Sequence, residues 1–247
     1  MNDQKKDNLP HDTWAEYYDF VYRQTYGSLY DAFTATSLNA ITKLAGSGSA
    51  AIQDYGAGTG RLSIPHAQNG HDVIAVEQSA PMLNAFRQKA AALNLEIETV
   101  NSSIQNYQGR TADLAICVFT VLNYSVDETV LQAIFRNISG HLKSEGLFFF
   151  DLADFVFFGH GMPDICKGDF KRLFKITPCG NNIYEYRESC KGVMDGNEFM
   201  YADSFPLRYW KFEEVNVMLL NAGFTRVNKQ FPEFRGTGST YYLYRKT

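Results

Sequence analysis

The sequence predicts an α/β protein: an open sheet of mostly parallel strands alternating with helices, interrupted once by a small antiparallel sheet. Three observations carry this expectation. An apolar run from Ala51 to Tyr55 ends in glycines at alternating positions and passes directly into a helix-like segment. From there to Leu152, short apolar runs alternate with longer amphipathic segments, the pattern of βα units. From Ala153 to Phe205 the helical periodicity is lost and hairpin signals replace it.

Taken in order, residues 1–12 are polar and read as disordered as far as Pro10 and beyond. Asp12 or Thr13 can cap a helix through Trp14–Tyr22, whose large apolar side chains at 14, 17, 18, 21 and 22 fall near helical spacing. A second helix is expected over Tyr30–Ala45, broken by Gly46-Ser47-Gly48-Ser49. The first strand is Ala51–Tyr55 and the second is His71–Val76, ending at Glu77. Ser79 then caps a helix with Pro81 in its first turn and Met82, Leu83, Phe86 and Ala90 facing inward. Strands are expected at Leu95–Val100, Ala112–Phe119 and Leu147–Leu152, with a helix over Asp127–Leu142. Hairpin signals at Pro178–Asn182 and Asp195-Gly196 separate three runs, Phe170–Thr177, Ile183–Cys190 and Glu198–Leu207, read as an inserted sheet of three strands. A helix ending at Ala222-Gly223 and two last strands, Thr225–Phe231 and Thr240–Arg245, close the chain.

Composition narrows the function classes. Of 247 residues, 45% are hydrophobic and 15% aromatic, enough for a large core. The formal net charge is −4 and there is no Lys/Arg run, which disfavours a nucleic-acid partner. Cys117, Cys166, Cys179 and Cys190 form no CxxC pair, so neither disulfides nor a zinc site is expected. No metal-ligating cluster is visible. The polar N-terminus does not read as a signal peptide and no apolar stretch would span a bilayer, so the expectation is a cytoplasmic protein, monomer or homodimer, with no membrane partner.

The chemistry is concentrated in Asp54-Tyr55-Gly56-Ala57-Gly58-Thr59-Gly60-Arg61. Glycines after a strand let a ligand approach the backbone, and the helix that follows offers free N–H groups. A dinucleotide fingerprint, G-x-G-x-x-G/A, would need a small residue where Arg61 stands. The spacing is instead D-x-G-x-G-x-G, followed about twenty residues on by an acid at a strand end, Glu77, placed to receive ribose hydroxyls. This resembles motif I of the class I S-adenosylmethionine-dependent methyltransferases. Leu142-Lys143-Ser144-Glu145-Gly146 is similar to the family's L-K-P-G-G turn, with two positions changed, and Leu219–Phe224 to its L-x-x-A-G-F helix end.

The resemblance implies a three-layer Rossmann-like sheet of seven strands in the order 3-2-1-4-5-7-6, strand 7 antiparallel. Residues 1–152 and 206–247 would form the cofactor-binding core with an N-terminal helical lid over about 13–45, and 153–205 the inserted lid over the acceptor pocket. It implies S-adenosyl-L-methionine as cofactor, held by Asp54, Gly56, Ala57, Gly58, Gly60, Arg61, Glu77, Gln78, Met82 and Phe119. Ser103 or Ile104 would meet the adenine, where the family often has an acid. Tyr18, or next Tyr22, would meet the methionine end, by similarity of Tyr17-Tyr18-Asp19-x-x-Tyr22 to the N-terminal segment of small-molecule members. The expected activity is methyl transfer to N or O of a small-molecule acceptor. A non-catalytic cofactor-binding protein and a nicotinamide oxidoreductase are the alternative readings. An acceptor that must lose a proton needs a base, for which Tyr124, Asp151 and His160 are the candidates. The N-terminal helix and the inserted sheet are expected to enclose the acceptor pocket from opposite sides.

Overall fold

The computed structural model describes residues 9–160 and 163–247, and of His160 only the backbone. Seven strands make the main sheet: β1 (Ala51–Tyr55), β2 (Asp72–Glu77), β3 (Glu98–Asn101), β4 (Ala112–Cys117), β5 (Leu142–Ala153), β10 (Phe224–Arg226) and β11 (Ser239–Lys246). Their order is β10-β11-β5-β4-β1-β2-β3. Strands β1 to β5 run parallel, while β11 is antiparallel to both β5 and β10. This is the expected 3-2-1-4-5-7-6 arrangement, with the inserted strands left out of the numbering.

Helices cover both faces because successive strand residues point to opposite sides. Phe148 and Phe150 of β5 pack with Leu131, Ile134 and Phe135 of α5 (Glu128–Gly140) and with Val215 and Leu219 of α7 (Phe212–Asn221). Phe149, between them in sequence, packs on the other side with Ile52, Ile116 and Ile41 of α2 (Ser28–Ala45). On that side too, α3 (Ser63–Gln68) and α4 (Ala80–Ala92) place Ile64, Leu83 and Phe86 against Ala75 of β2. Ser79 caps α4 as its sequence position suggests, its Oγ accepting from Met82 N–H at 3.2 Å.

The insertion has four strands, one more than expected: β6 (Ile165–Lys167), β7 (Phe170–Gly180), β8 (Ile183–Met194) and β9 (Asn197–Arg208), antiparallel in that order. β6 is three residues long, too short to show a period in sequence. Ahead of β6, Phe155–His160 forms a short helix, α6.

The N-terminal segment differs most. Only residues 9–12 of the stretch read as disordered are described, and they are ordered by contacts: Asp12 accepts from Ser79 Oγ at 2.5 Å and His11 N–H donates to Asp203 at 2.8 Å. A 3₁₀ turn (Asp12–Tyr17), kinked at Trp14, leads into α1 (Tyr18–Tyr26). This segment and the inserted sheet do not face each other across the pocket. They pack directly together: Trp14 stacks on Tyr201 with ring centroids 4.6 Å apart, and Tyr17 on Phe199 at 4.5 Å. The aromatic side chains that the helical period placed on one face find their apolar partner in the insertion rather than in the sheet core. Behind them Arg172 of β7, buried, donates to Glu188 Oε2 of β8 at 2.6 and 2.9 Å and to Thr25 Oγ1 of α1 at 3.0 Å, tying α1 to the insertion.

Candidate functional site

A cavity opens beyond the C-terminal ends of β1, β2 and β4, where an open α/β sheet places its ligands. Its floor is the turn after β1. Gly56 and Ala57 N–H both donate to Val76 O, at 2.8 and 3.2 Å, and Gly60 N–H closes the turn on Ala57 O at 2.9 Å. All three glycines have positive φ. A Cβ at Gly56 would lie 2.7 Å from Val121 side-chain carbons, and one at Gly60 2.8 Å from the Phe86 ring. At Gly58 nothing is nearer than Met82 Cε at 3.4 Å. At Gly56 and Gly60 protein neighbours leave no room for a Cβ, whereas at Gly58, which borders the cavity, the protein leaves that space open.

Glu77 stands beside it. Its Oε2 accepts from Gly58 N–H at 2.9 Å and its Oε1 from Ser79 N–H at 2.8 Å. Each oxygen keeps a second lone-pair direction for a ligand hydroxyl. Burial raises the Glu77 pKa, and the two N–H bonds oppose that rise. Asp54 accepts from Ser63 Oγ at 2.6 Å rather than from the loop amides, and burial pushes its pKa up to about 6. Arg61 reaches across the turn. Its guanidinium lies 4.8 Å from the Phe119 ring centroid and 5.4 Å from that of Phe33, and Nη1 donates to Thr34 Oγ1 at 3.2 Å. Among the described residues it is in no ion pair.

Of the positions singled out in the sequence, Asp54, Gly56, Ala57, Gly58, Arg61, Glu77, Gln78, Met82, Ile104, Phe119, Tyr18, Tyr22 and Tyr124 all border this one cavity. Gly60 does not border it, because it faces Phe86. Ser103 does not either: it begins the 3₁₀ turn Ile104–Asn106, while Ser102 and Ile104 on either side of it reach the cavity. Asp151 lies behind the wall, fully buried, with both carboxylate oxygens accepting from Thr120 N–H at 3.0 and 3.1 Å. There it braces Phe119 and Thr120, both at positive φ, so its geometry is that of a loop clamp and not of a base. The His160 side chain lies outside the described residues.

Sequence reasoning missed His11 and Asp203. His11 borders the cavity, its Nε2 2.8 Å from Tyr124 Oη, and Asp203 holds it from β9. A histidine directly before the aromatic segment was the one available signal.

The strand order, the glycine turn at Gly58 and the acid at the end of β2 are those expected of a class I S-adenosylmethionine-dependent methyltransferase. The residues fit that cofactor: the Gly58 cradle is open where a Cβ would obstruct, and Arg61 offers a cation to an anionic group. Residues 52–146 match the family described as "Methyltransferase domain". Over 145 residues the chain is 28% identical to the protein named "Putative methyltransferase GWCH70_2453" of Geobacillus sp. (strain WCH70), the match spanning 58% of each chain. An S-adenosylmethionine-dependent methyltransferase from Clostridium acetobutylicum shares the fold with a TM-score of 0.78 at 19% identity, over 96% of this chain and 98% of that one. The sugar N-methyltransferase KedS8 from Streptoalloteichus sp. does so with a TM-score of 0.68 at 15% identity, over 100% and 97%.

Proposed function

We propose that the protein transfers a methyl group from S-adenosylmethionine to a nitrogen or oxygen of a small-molecule acceptor. The observation that carries this reading is the pairing of Gly58 N–H with the Glu77 carboxylate at the open face of the glycine turn. When bound, S-adenosylmethionine supplies a methyl on sulfonium, so the acceptor's lone pair forms the new bond to carbon as the C–S electron pair returns to sulfur. The chain's residues bind and orient. Glu77 takes the ribose hydroxyls, Met82 and Ile104 flank the adenine, Arg61 pairs with the methionine carboxylate and Asp54 accepts from its amino group. Tyr18, Tyr22, Phe119 and Tyr124 close the far end and exclude water, holding the acceptor in line. The narrow, aromatic end and the formal net charge of −4 support a small metabolite over a nucleic acid.

Calorimetry with S-adenosylhomocysteine tests the cofactor site. Glu77→Ala should weaken binding by about tenfold to a hundredfold, the worth of charged hydrogen bonds. Unchanged affinity in that variant, or no binding by the wild type, would overturn the reading. A methyl-transfer screen over small amines and alcohols, read by S-adenosylhomocysteine release, tests the activity.

A further inference from the structure

His11 closes the cavity's far end and is held on every side. Its backbone has φ 71°, a left-handed conformation, and its N–H donates to Asp203 Oδ2 at 2.8 Å. Trp14 Nε1–H donates to that same oxygen at 2.9 Å. The imidazole packs edge-on against Trp14, Tyr18, Tyr124 and Phe205, with centroids 5.0 to 5.8 Å apart. Nε2 is 2.8 Å from Tyr124 Oη. Nδ1 is 3.7 Å from Asp203 Oδ2 and has no hydrogen-bond partner among the described residues. Glu188 Oε1, on a side chain that is wholly buried, also lacks one. His11, Glu188 and Asp203 each bring a donor atom within 4.8 Å of the others.

Three occupants could satisfy this cluster. A divalent cation would sit against a guanidinium, because Arg172 already holds Glu188 Oε2, and Asp203 Oδ2 already takes two N–H groups. A second proton on the imidazole is opposed by burial and by the Arg172 charge, which lower the His11 pKa to about 3. There remains the single hydrogen of a neutral ring. On Nε2 it would leave the Nδ1 lone pair facing two carboxylates. On Nδ1 it faces those carboxylates, and the Nε2 lone pair accepts the hydroxyl hydrogen of Tyr124.

We propose that His11 is fixed as the Nδ1–H tautomer and takes up the Tyr124 hydroxyl hydrogen, so that Tyr124 shows the cavity an oxygen with lone pairs only and selects an alkyl amine as methyl acceptor. A carboxylate finds no donor there. A hydroxyl gives that oxygen one neutral hydrogen bond, whereas an alkyl ammonium gives a stronger, charge-assisted one and sheds a single proton to solvent before its freed lone pair attacks the methyl carbon. His11 acts through Tyr124 and is a positioning residue. The inference rests on the methyltransferase reading and deepens it.

Side-chain ¹⁵N NMR reads the tautomer without any ligand, His11 being assigned by the signal lost in His11→Gln. The expected spectrum shows a protonated Nδ1 and a bare Nε2, unchanged between about pH 5 and 8. The groups facing the ring over that interval are Asp203, Glu188, Arg172, Tyr18 and Tyr124. A bare Nδ1, or titration within the interval, overturns the proposal. In the second arm, calorimetry with S-adenosylhomocysteine present compares cyclohexylamine, cyclohexanol and cyclohexanecarboxylate. The amine should bind about tenfold more tightly than the alcohol, one hydrogen bond's worth. Tyr124→Phe and His11→Leu should lose that preference. His11→Gln should keep it, since its side-chain carbonyl accepts the same hydrogen. Equal binding, or no binding of any probe, overturns the acceptor assignment. Failure of the wild type to bind S-adenosylhomocysteine would instead remove the methyltransferase reading itself, so the two failures are distinguishable.

Discussion

A methyl group added at Gly60 would lie 2.8 Å from Phe86 Cδ2 and 3.0 Å from Ile64 Cδ1, both in the packed layer under α4. Gly60→Ala should therefore cost about 1–3 kcal/mol from overpacking, with about 1–2 kcal/mol more from the left-handed backbone. Thermal unfolding would register it as a lowered Tm. Gly58→Val carries the backbone strain without the clash, and its side chain enters the cavity. It should fold and lose S-adenosylhomocysteine affinity; a folded variant with wild-type affinity would remove the cradle from the account. At Asp151, burial raises the pKa to about 6, opposed by the Thr120 N–H bonds. A raised carboxylate pKa means that its contribution to stability is complete below the unfolded-state value and is lost as pH rises through about 6. Asp151→Asn keeps an oxygen for Thr120 and does not titrate. The variant's Tm should thus gain on the wild type between about pH 4 and pH 7.5; a constant difference would show that Asp151 carries no strained charge. At this scale the sequence was informative where function is local. Gly58 and Glu77 belong to one strand-turn-helix pattern and its neighbouring strand end. His11 was illegible because its partners, Tyr124 and Asp203, lie 113 and 192 positions away.

Among the elements, a buried ion pair stands behind the contact of α1 with the insertion. Arg172 and Glu188 side chains are 1% and 0% exposed, so removing one leaves the other charged without water. Arg172→Met should destabilise by about 3–5 kcal/mol in urea denaturation, and the double variant with Glu188→Leu should recover most of the loss. If the double variant is no more stable than Arg172→Met, the pair is not the source of the effect. The same packing changes what is expected of the N-terminal segment. Trp14 and Val21 are fully buried against the insertion. Amide exchange in 18–26 should already be slow without cofactor. The aromatic period predicted a buried face for this segment; it carried no information on which surface would bury it. Strand β6 and the 3₁₀ character of Asp12–Tyr17 were lost for a different reason, each being too short to repeat its period often enough to reveal it.

For the whole molecule, the seven-strand order was legible because each βα unit repeats one local pattern and the connections leave few topologies. The relation of the two sheets was not, since it depends on aromatic stacking between chain ends that no local pattern encodes. That stacking bears on how the chain is made. Residues 12–26 leave the ribosome well before their partners Phe199, Tyr201 and Asp203, the last of which stands 189 positions after Trp14. Until then Trp14 and Tyr17 lack the rings they stack on, and the nascent chain carries them exposed. Chains arrested before Phe199 has emerged should be cut by chymotrypsin between Trp14 and Tyr22, and chains arrested after Trp210 has emerged should resist. Equal cleavage of both would mean that the segment finds cover in the first sheet alone. Otherwise the protein depends, while it is being made, on whatever shields apolar nascent chains in its cell.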